Sequence, residues 1–171
     1  MTKRHTLSVL DQDLERGREL ILTMGGRVEE AIALAARALE GRDAELAARV
    51  VEDDRAIDTL EDDINAQVVR VLALRQPQAD DLRAVIAVMK MAGDLERLGD
   101  YAKNMAKRVP VLAEGARIEG AGAAIRRQTR QVGEMLKDML DAYARGDVAL
   151  AEDVIARDAE VDHMTNALFR E

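Results

Sequence analysis

Apolar residues recur along this chain in steps of three, four and seven. Between Leu7 and Leu39 they fall at Leu10, Leu14, Ile21, Met24, Val28, Ile32, Ala35 and Leu39, which predicts one long amphipathic helix. Gly25 and Gly26 lie inside it. A glycine costs about 1 kcal/mol against alanine in a helix interior, so a kink, a close helix crossing and a tolerated weak point are all open readings. Gly41-Arg42-Asp43 ends the helix, with Gly41 suited to the left-handed cap and Asp43 to the N-cap of the next helix. That second helix extends to about Arg75 on a stripe of Val50, Ile57, Leu60, Ile64, Val68 and Val71, and Gln76-Pro77 breaks it. Asp80 or Asp81 is placed to cap a third helix, from about Leu82 to Arg108. Pro110 and the glycine-rich stretch Gly115 to Gly122 read as a linker. Two more helices follow, from about Ala123 to Arg145 and from Val148 to the end.

The pattern repeats. Asp43 aligns with Asp147, and the same offset pairs Leu46 with Leu150, Val50 with Val154, Asp54 with Asp158 and Asp58 with Asp162. It also pairs Val28 with Val132 and Ile32 with Leu136. The expected architecture is an all-α tandem repeat of three-helix bundles. Residues 1–110 form the first unit, 111–122 the linker, and 123–171 the first two helices of a second unit with no counterpart of Leu82–Arg108. Two amphipathic helices alone leave an apolar face uncovered. A truncated product, or a helix supplied by a partner chain in a dimer or larger assembly, is the expectation.

Composition narrows the function classes. The 171 residues suffice for one real core, and 48% apolar, 34% charged and 2% aromatic residues suit a helical bundle. A net charge of -8 with no Trp and one Phe argues against a nucleic-acid partner. Cysteine is absent, which removes thiolate chemistry and cysteine zinc sites and suits a cytoplasmic protein. No apolar run approaches the ~20 residues of a membrane span, so any membrane role is peripheral, through partners.

The chemistry on offer is carboxylate. Glu52-Asp53-Asp54, Asp58 and Glu61-Asp62-Asp63 crowd the second helix, and Glu96-Arg-Leu-Gly-Asp100 lies in the third. Like charges four apart destabilise a helix by a few tenths of a kcal/mol per pair. On a wheel at ~100° per residue, Asp54, Asp58 and Glu61 fall on the shoulder of the apolar stripe, about 20° to 80° from Val50. Glu96 and Asp100 take the same shoulder of the third helix, whereas Asp94 points away as plain surface. Asp53 projects near the stripe, with no role assigned to it. Carboxylates at one helix seam suit a hard cation. A solvated acidic face with helical partners such as Arg55 and Arg97 is the competing reading.

The same residues carry a family resemblance. Glu96-Arg-Leu-Gly-Asp100, within Asp94-Leu-Glu-Arg-Leu-Gly-Asp-Tyr-Ala-Lys-Asn104, resembles the E(D)xxxD signature of the PhoU family of phosphate-specific transport system accessory proteins. Asp54-Arg-Ala-Ile-Asp58 and Asp158-Ala-Glu-Val-Asp162 resemble its companion acidic segments. Thr23-Met-Gly-Gly26 and the 75–83 turn, Arg-Gln-Pro-Gln-Ala-Asp-Asp-Leu-Arg, are similar to its first helix and second turn. The resemblance covers nearly the whole chain. It implies a tandem pair of three-helix bundles and a negative regulator of phosphate uptake and of the phosphate-starvation response. The implied partners are the phosphate ABC transporter's ATPase and a membrane sensor histidine kinase. It implies metal on the acidic surfaces, often iron clusters, with manganese, magnesium or zinc as other candidates. The implied ligands are Asp54, Asp58, Glu61, Glu96 and Asp100, with an incomplete second site at Asp158 and Asp162, because Thr165 stands where the repeat would put the third acid.

Three other classes compete with this reading. A carboxylate-bridged di-iron bundle enzyme needs two Glu-x-x-His motifs and two more glutamates facing inward. Glu160-Val-Asp-His163 is one match, His163 lies opposite the stripe on the wheel, and the other histidine, His5, is in the N-terminal tail. A phosphotransfer bundle would need His163 among groups that steer a phosphoryl donor, and Glu160 and Asp162 beside it repel phosphate. A purely structural helical adaptor is the plainest alternative. With no nucleophile–base pair, phosphate loop or nucleotide fingerprint in the chain, the expectation is a non-enzyme.

Overall fold

The alternating three- and four-residue steps of the apolar positions fold the described residues into six helices. The computed structural model describes residues 9–115 and 121–168. Along the chain they are α1 (Val9–Gly41), α2 (Ala44–Asp53), α3 (Arg55–Arg75), α4 (Ala79–Glu114), α5 (Ala121–Arg145) and α6 (Val148–Leu168), and no strand occurs among the described residues. Helices α1, α2/α3 and α4 pack on one another as a bundle, α5 lies against α1, and among the described residues α6 packs against α5 alone.

The core follows from the periodicity. Ile21, Met24, Val28 and Ile32 of α1 are buried with Val50, Ile57, Ile64 and Val68 of α2/α3 and Val85, Ala92, Leu95, Ala102 and Val109 of α4. Buried positions advance 47, 50, 54, 57 and then 64, 68, 71 on the second strip, and 85, 88, 92, 95, 99, 102, 106, 109 on α4. Alternating steps of three and four are the seam of a left-handed bundle with small crossing angles. Small residues on α4 let the helices approach closely. A Cβ on Gly99 would stand 3.1 Å from Ile57 Cδ1.

Gly25 resolves among its open readings as a close crossing. It is buried, and a Cβ there would stand 2.4 Å from Leu140 Cδ2, so α5 seats on α1 through the missing side chain. Gly26 has nothing within 4 Å of the same construction. Glu40 of α1 and Arg126 of α5 form an ion pair along the same contact.

The turns differ from expectation in instructive ways. Arg42, not Gly41, takes the left-handed conformation after α1 (φ 53°). The strain is offset locally, because the Arg42 guanidinium donates to the Gly115 and Ala113 carbonyls at 2.7 and 3.3 Å and so ties this turn to the end of α4. Asp43 caps α2 as expected, accepting from the Leu46 amide at 2.9 Å. The expected single second helix is two, interrupted at Asp54, whose backbone stays helical (φ -56°, ψ -32°). Gln78 in place of Asp80 or Asp81 is the N-cap of α4, and the two aspartates lie in its first turn. Pro110 does not end α4, which runs on to Glu114. Proline lacks the N–H that would bond the Ala106 carbonyl, and Pro110 itself lies on the exposed side, one turn from the helix end. Most of the glycine-rich stretch, 116–120, lies outside the described residues.

The repeat is visible in the turns. Asp43 N and Arg42 N bond the Ala38 and Leu39 carbonyls at 2.9 and 3.4 Å, and Asp147 N and Gly146 N bond those of Ala142 and Tyr143 at the same two distances. Asp147 caps α6 through the Leu150 amide at 3.0 Å.

Candidate functional site

The acidic seam is built where α4 crosses the α2/α3 junction. Asp54 closes α2 and opens α3, and its side chain makes no capping bond. The Ile57 and Asp58 amides bond its backbone carbonyl instead, at 2.8 and 3.1 Å. The carboxylate is thereby left to face α4. Steps of three and four from Ala47 and Val50 put Asp54 in the buried strip itself, and it is 5% exposed, the one buried charged residue among those described. Asp53 is exposed, contrary to its place on the wheel. A period of 3.6 carries the phase too far for a seam that runs on 3.5.

A buried carboxylate needs a counter-charge, and Lys103 supplies it. The lysine Nζ is 2.5 Å from Asp54 Oδ2 and 2.5 Å from Asp100 Oδ1, bridging α4 to the α2/α3 junction. The side chain of Lys103 is 19% exposed and that of Asp54 6%, so the pair is largely shielded from water. The bonds from Asp100 and Asp54 hold the Lys103 ammonium well above its ordinary pKa. The Lys103 hydrogen bond in turn holds the Asp100 carboxyl below the usual aspartate value.

Further out along the seam the balance changes sign. Glu96 is half-buried, and its carboxyl is pushed up, first by burial and then by repulsion from Asp100, Glu61 and Asp58. Glu61 is half-buried and Asp58 exposed. Asp94 is exposed, as expected, with Arg97 at 3.8 Å.

The structure therefore brings Asp54 and Asp100 together through Lys103 and places Asp58, Glu61 and Glu96 within electrostatic reach of one another. Among the described residues, no group of three or more Asp, Glu or His side chains is gathered as a metal ion would need. The donor chemistry suits a hard cation, but the present arrangement of these acids does not fit one. Lys103 is the residue that sequence reasoning missed. Its signal was present: it follows Gly99 by four and Asp100 by three, so it shares their face of α4.

The second cluster is open. Asp158 and Asp162 are exposed on α6, with nothing across from them comparable to α4. Nearby, Arg157 donates to Asp138 at 2.6 Å and forms an ion pair with Asp153 at 3.1 Å, and Gln131 donates to Glu160 at 3.2 Å. The side chain of Thr165 lies outside the described residues, as does His5. Glu160 and His163 are exposed, so the single Glu-x-x-His match does not face a bundle interior.

Comparisons with known proteins agree with one another. The PhoU domain family model matches residues 21–109 and 125–171. The phosphate-specific transport system accessory protein PhoU homolog of Zymomonas mobilis is 45% identical over 166 residues, spanning 97% of this chain and 70% of the relative. The crystal structure of PhoU from Pseudomonas aeruginosa superposes with a TM-score of 0.90 at 39% identity, covering 94% of this chain and 77% of that one. The phosphate transport system regulatory protein PhoU from Streptococcus pneumoniae superposes with a TM-score of 0.86 at 31% identity, covering 93% and 74%.

Proposed function

The chain belongs to the PhoU family, and from that premise we propose that it is a negative regulator of phosphate uptake and of the phosphate-starvation response. On this reading it is a helical adaptor, not an enzyme. It contacts the ATPase of a phosphate ABC transporter and a membrane sensor histidine kinase, and biases the kinase towards its inactive state when phosphate is sufficient. The observation that carries the reading is likeness over nearly the whole chain to proteins named as phosphate-specific transport system accessory proteins.

Other features support it. No helix among the described residues is long and apolar enough to cross a membrane. On the proposed reading the adaptor meets the transporter and kinase from the cytoplasm. Long helices with mixed-charge faces offer docking area. Val148 and Ile155 of α6 are 69% and 74% exposed, apolar surface on which a second copy or a partner could dock. Homodimerisation is part of the proposed reading.

The test is transcription of phosphate-starvation genes in a strain lacking this protein. Constitutive expression in high phosphate, restored to repression by the full chain, is the expected result. Normal repression in the deletion strain would remove the regulatory reading. Pull-down of the ATPase and the kinase in high and low phosphate tests the adaptor role separately, and absence of both in both conditions counts against it. Light scattering tests self-association: a monomer at micromolar concentration argues against the dimer.

A further inference from the structure

The seam that a metal ion was expected to occupy has a lysine at its innermost pair. Asp54 is the buried charged residue among those described, and the Lys103 ammonium pairs with it. We propose that Lys103 is the resident cation of the Asp54–Asp100 pair, and that these two carboxylates do not ligate metal in the native protein.

Three physical points carry this. First, the position is right: one ammonium lies 2.5 Å from an oxygen of each carboxylate, on opposite sides of the helix seam. An ammonium has three donors in a compact head, and two are spent here on charged acceptors, the strong class of hydrogen bond. Second, the cation is tethered. Lys103 stands one helical turn from Asp100, so its effective concentration at the site does not depend on solution conditions. A divalent ion would have to displace it and leave an ammonium repelled at close range. Third, the space is small. Gly99 brings α4 so near the α2/α3 junction that a Cβ there would stand 3.1 Å from Ile57 Cδ1 and 3.6 Å from Asp54 Oδ1. A hydrated cation needs more room than a lysine head delivered along its own stem, so a divalent ion enters only where that head is gone and the ion sheds water to meet the two carboxylates. Asp58, Glu61 and Glu96 lie outside this claim. It is also independent of the regulatory reading above, because it concerns what neutralises Asp54 whatever the adaptor binds.

The experiment is a Mn2+ titration of the purified full chain, stripped with chelator, with free Mn2+ read by electron paramagnetic resonance. Wild type and Asp54→Asn should bind the same number of ions with affinities within about twofold of each other. Lys103→Met should gain one site, about tenfold or more tighter than any in wild type. The double variant Asp54→Asn/Lys103→Met should lose it again. Lys103→Arg, which keeps the charge, should gain none. A wild-type Mn2+ site that disappears in Asp54→Asn alone overturns the proposal, as does a folded Lys103→Met that gains no site. Should Lys103→Met unfold without metal, recovery of its helical circular dichroism on adding Mn2+ supports the proposal. Should it stay unfolded, the comparison of wild type with Asp54→Asn decides alone.

Discussion

Asp54 and Asp158 occupy the same place in the repeat, yet one is buried beside a lysine and the other stands in water. Their local surroundings are alike. Each follows an aspartate cap, Asp43 or Asp147, that accepts from the amide three residues on at about the same distance. Each sits one turn before a second aspartate. What differs is the third helix. α4 covers the α2/α3 junction and brings Lys103, whereas α6 packs on α5 alone. Burial, counter-charge and strength of interaction at Asp54 thus come from the neighbour across the seam and not from the helix that carries it.

The largest expected effect separates these two aspartates. Lys103→Met should lose about 3 kcal/mol in urea unfolding at pH 7 in metal-free buffer, because removing one partner of a buried pair leaves an uncompensated charge. Asp158→Asn should stay within about 0.5 kcal/mol of wild type, as exposed substitutions do. Equal effects would dissolve the contrast. The pH sign follows from Asp100, whose value is lowered by Lys103. Its contribution is present above the ordinary aspartate value and is lost as pH falls through the lowered one, so wild type and Lys103→Met should converge in acid.

Next in size is the contact that joins the halves. Gly25→Val should cost about 2 kcal/mol by overpacking against Leu140 and should loosen α5 and α6 first, read as faster amide hydrogen exchange there. Gly26→Ala, with open space around it, should stabilise by up to about 1 kcal/mol. The caps come third. Asp43→Ala and Asp147→Ala should each cost about 1 kcal/mol locally. Only the first should lower the global unfolding midpoint in full, because α6 has one neighbour to lose. In the second, the loss should show as hydrogen exchange confined to α6.

The smallest effect tests the outer seam. Glu96 is held above its ordinary value of 4.5 by burial and by neighbouring acids. Its charge therefore opposes folding above that raised value, and the penalty vanishes as pH falls below 4.5, where both states are protonated. Glu96→Gln should stabilise the metal-free protein by a few tenths of a kcal/mol at pH 7, and by nothing at pH 4. Destabilisation at pH 7 would mean that the ionised glutamate has a favourable partner.

Much of the fold was legible. The helix count fell one short because nothing in the apolar stripe marks the break at Asp54, where the backbone stays helical while the ladder lapses. The wheels put Asp54 and Asp100 on the shoulders of two helices as candidate metal ligands, and the structure brings them together through Lys103. No metal-ligand pattern includes a lysine, because its ammonium repels a metal cation. α4 outran Pro110 because a proline breaks a helix only when the lost bond and the ring clash cannot be relieved.

By itself, then, the chain's sequence determined most of the helices, the Asp43 cap, the repeat and the family, because each depends on spacing along one strand of backbone. The tertiary structure decided which repeat-related carboxylate is buried, what neutralises it, and where Gly25 admits α5. Those depend on which helix lies across the seam and how close it comes. Periodicity states which face a residue is on; it does not state what faces it.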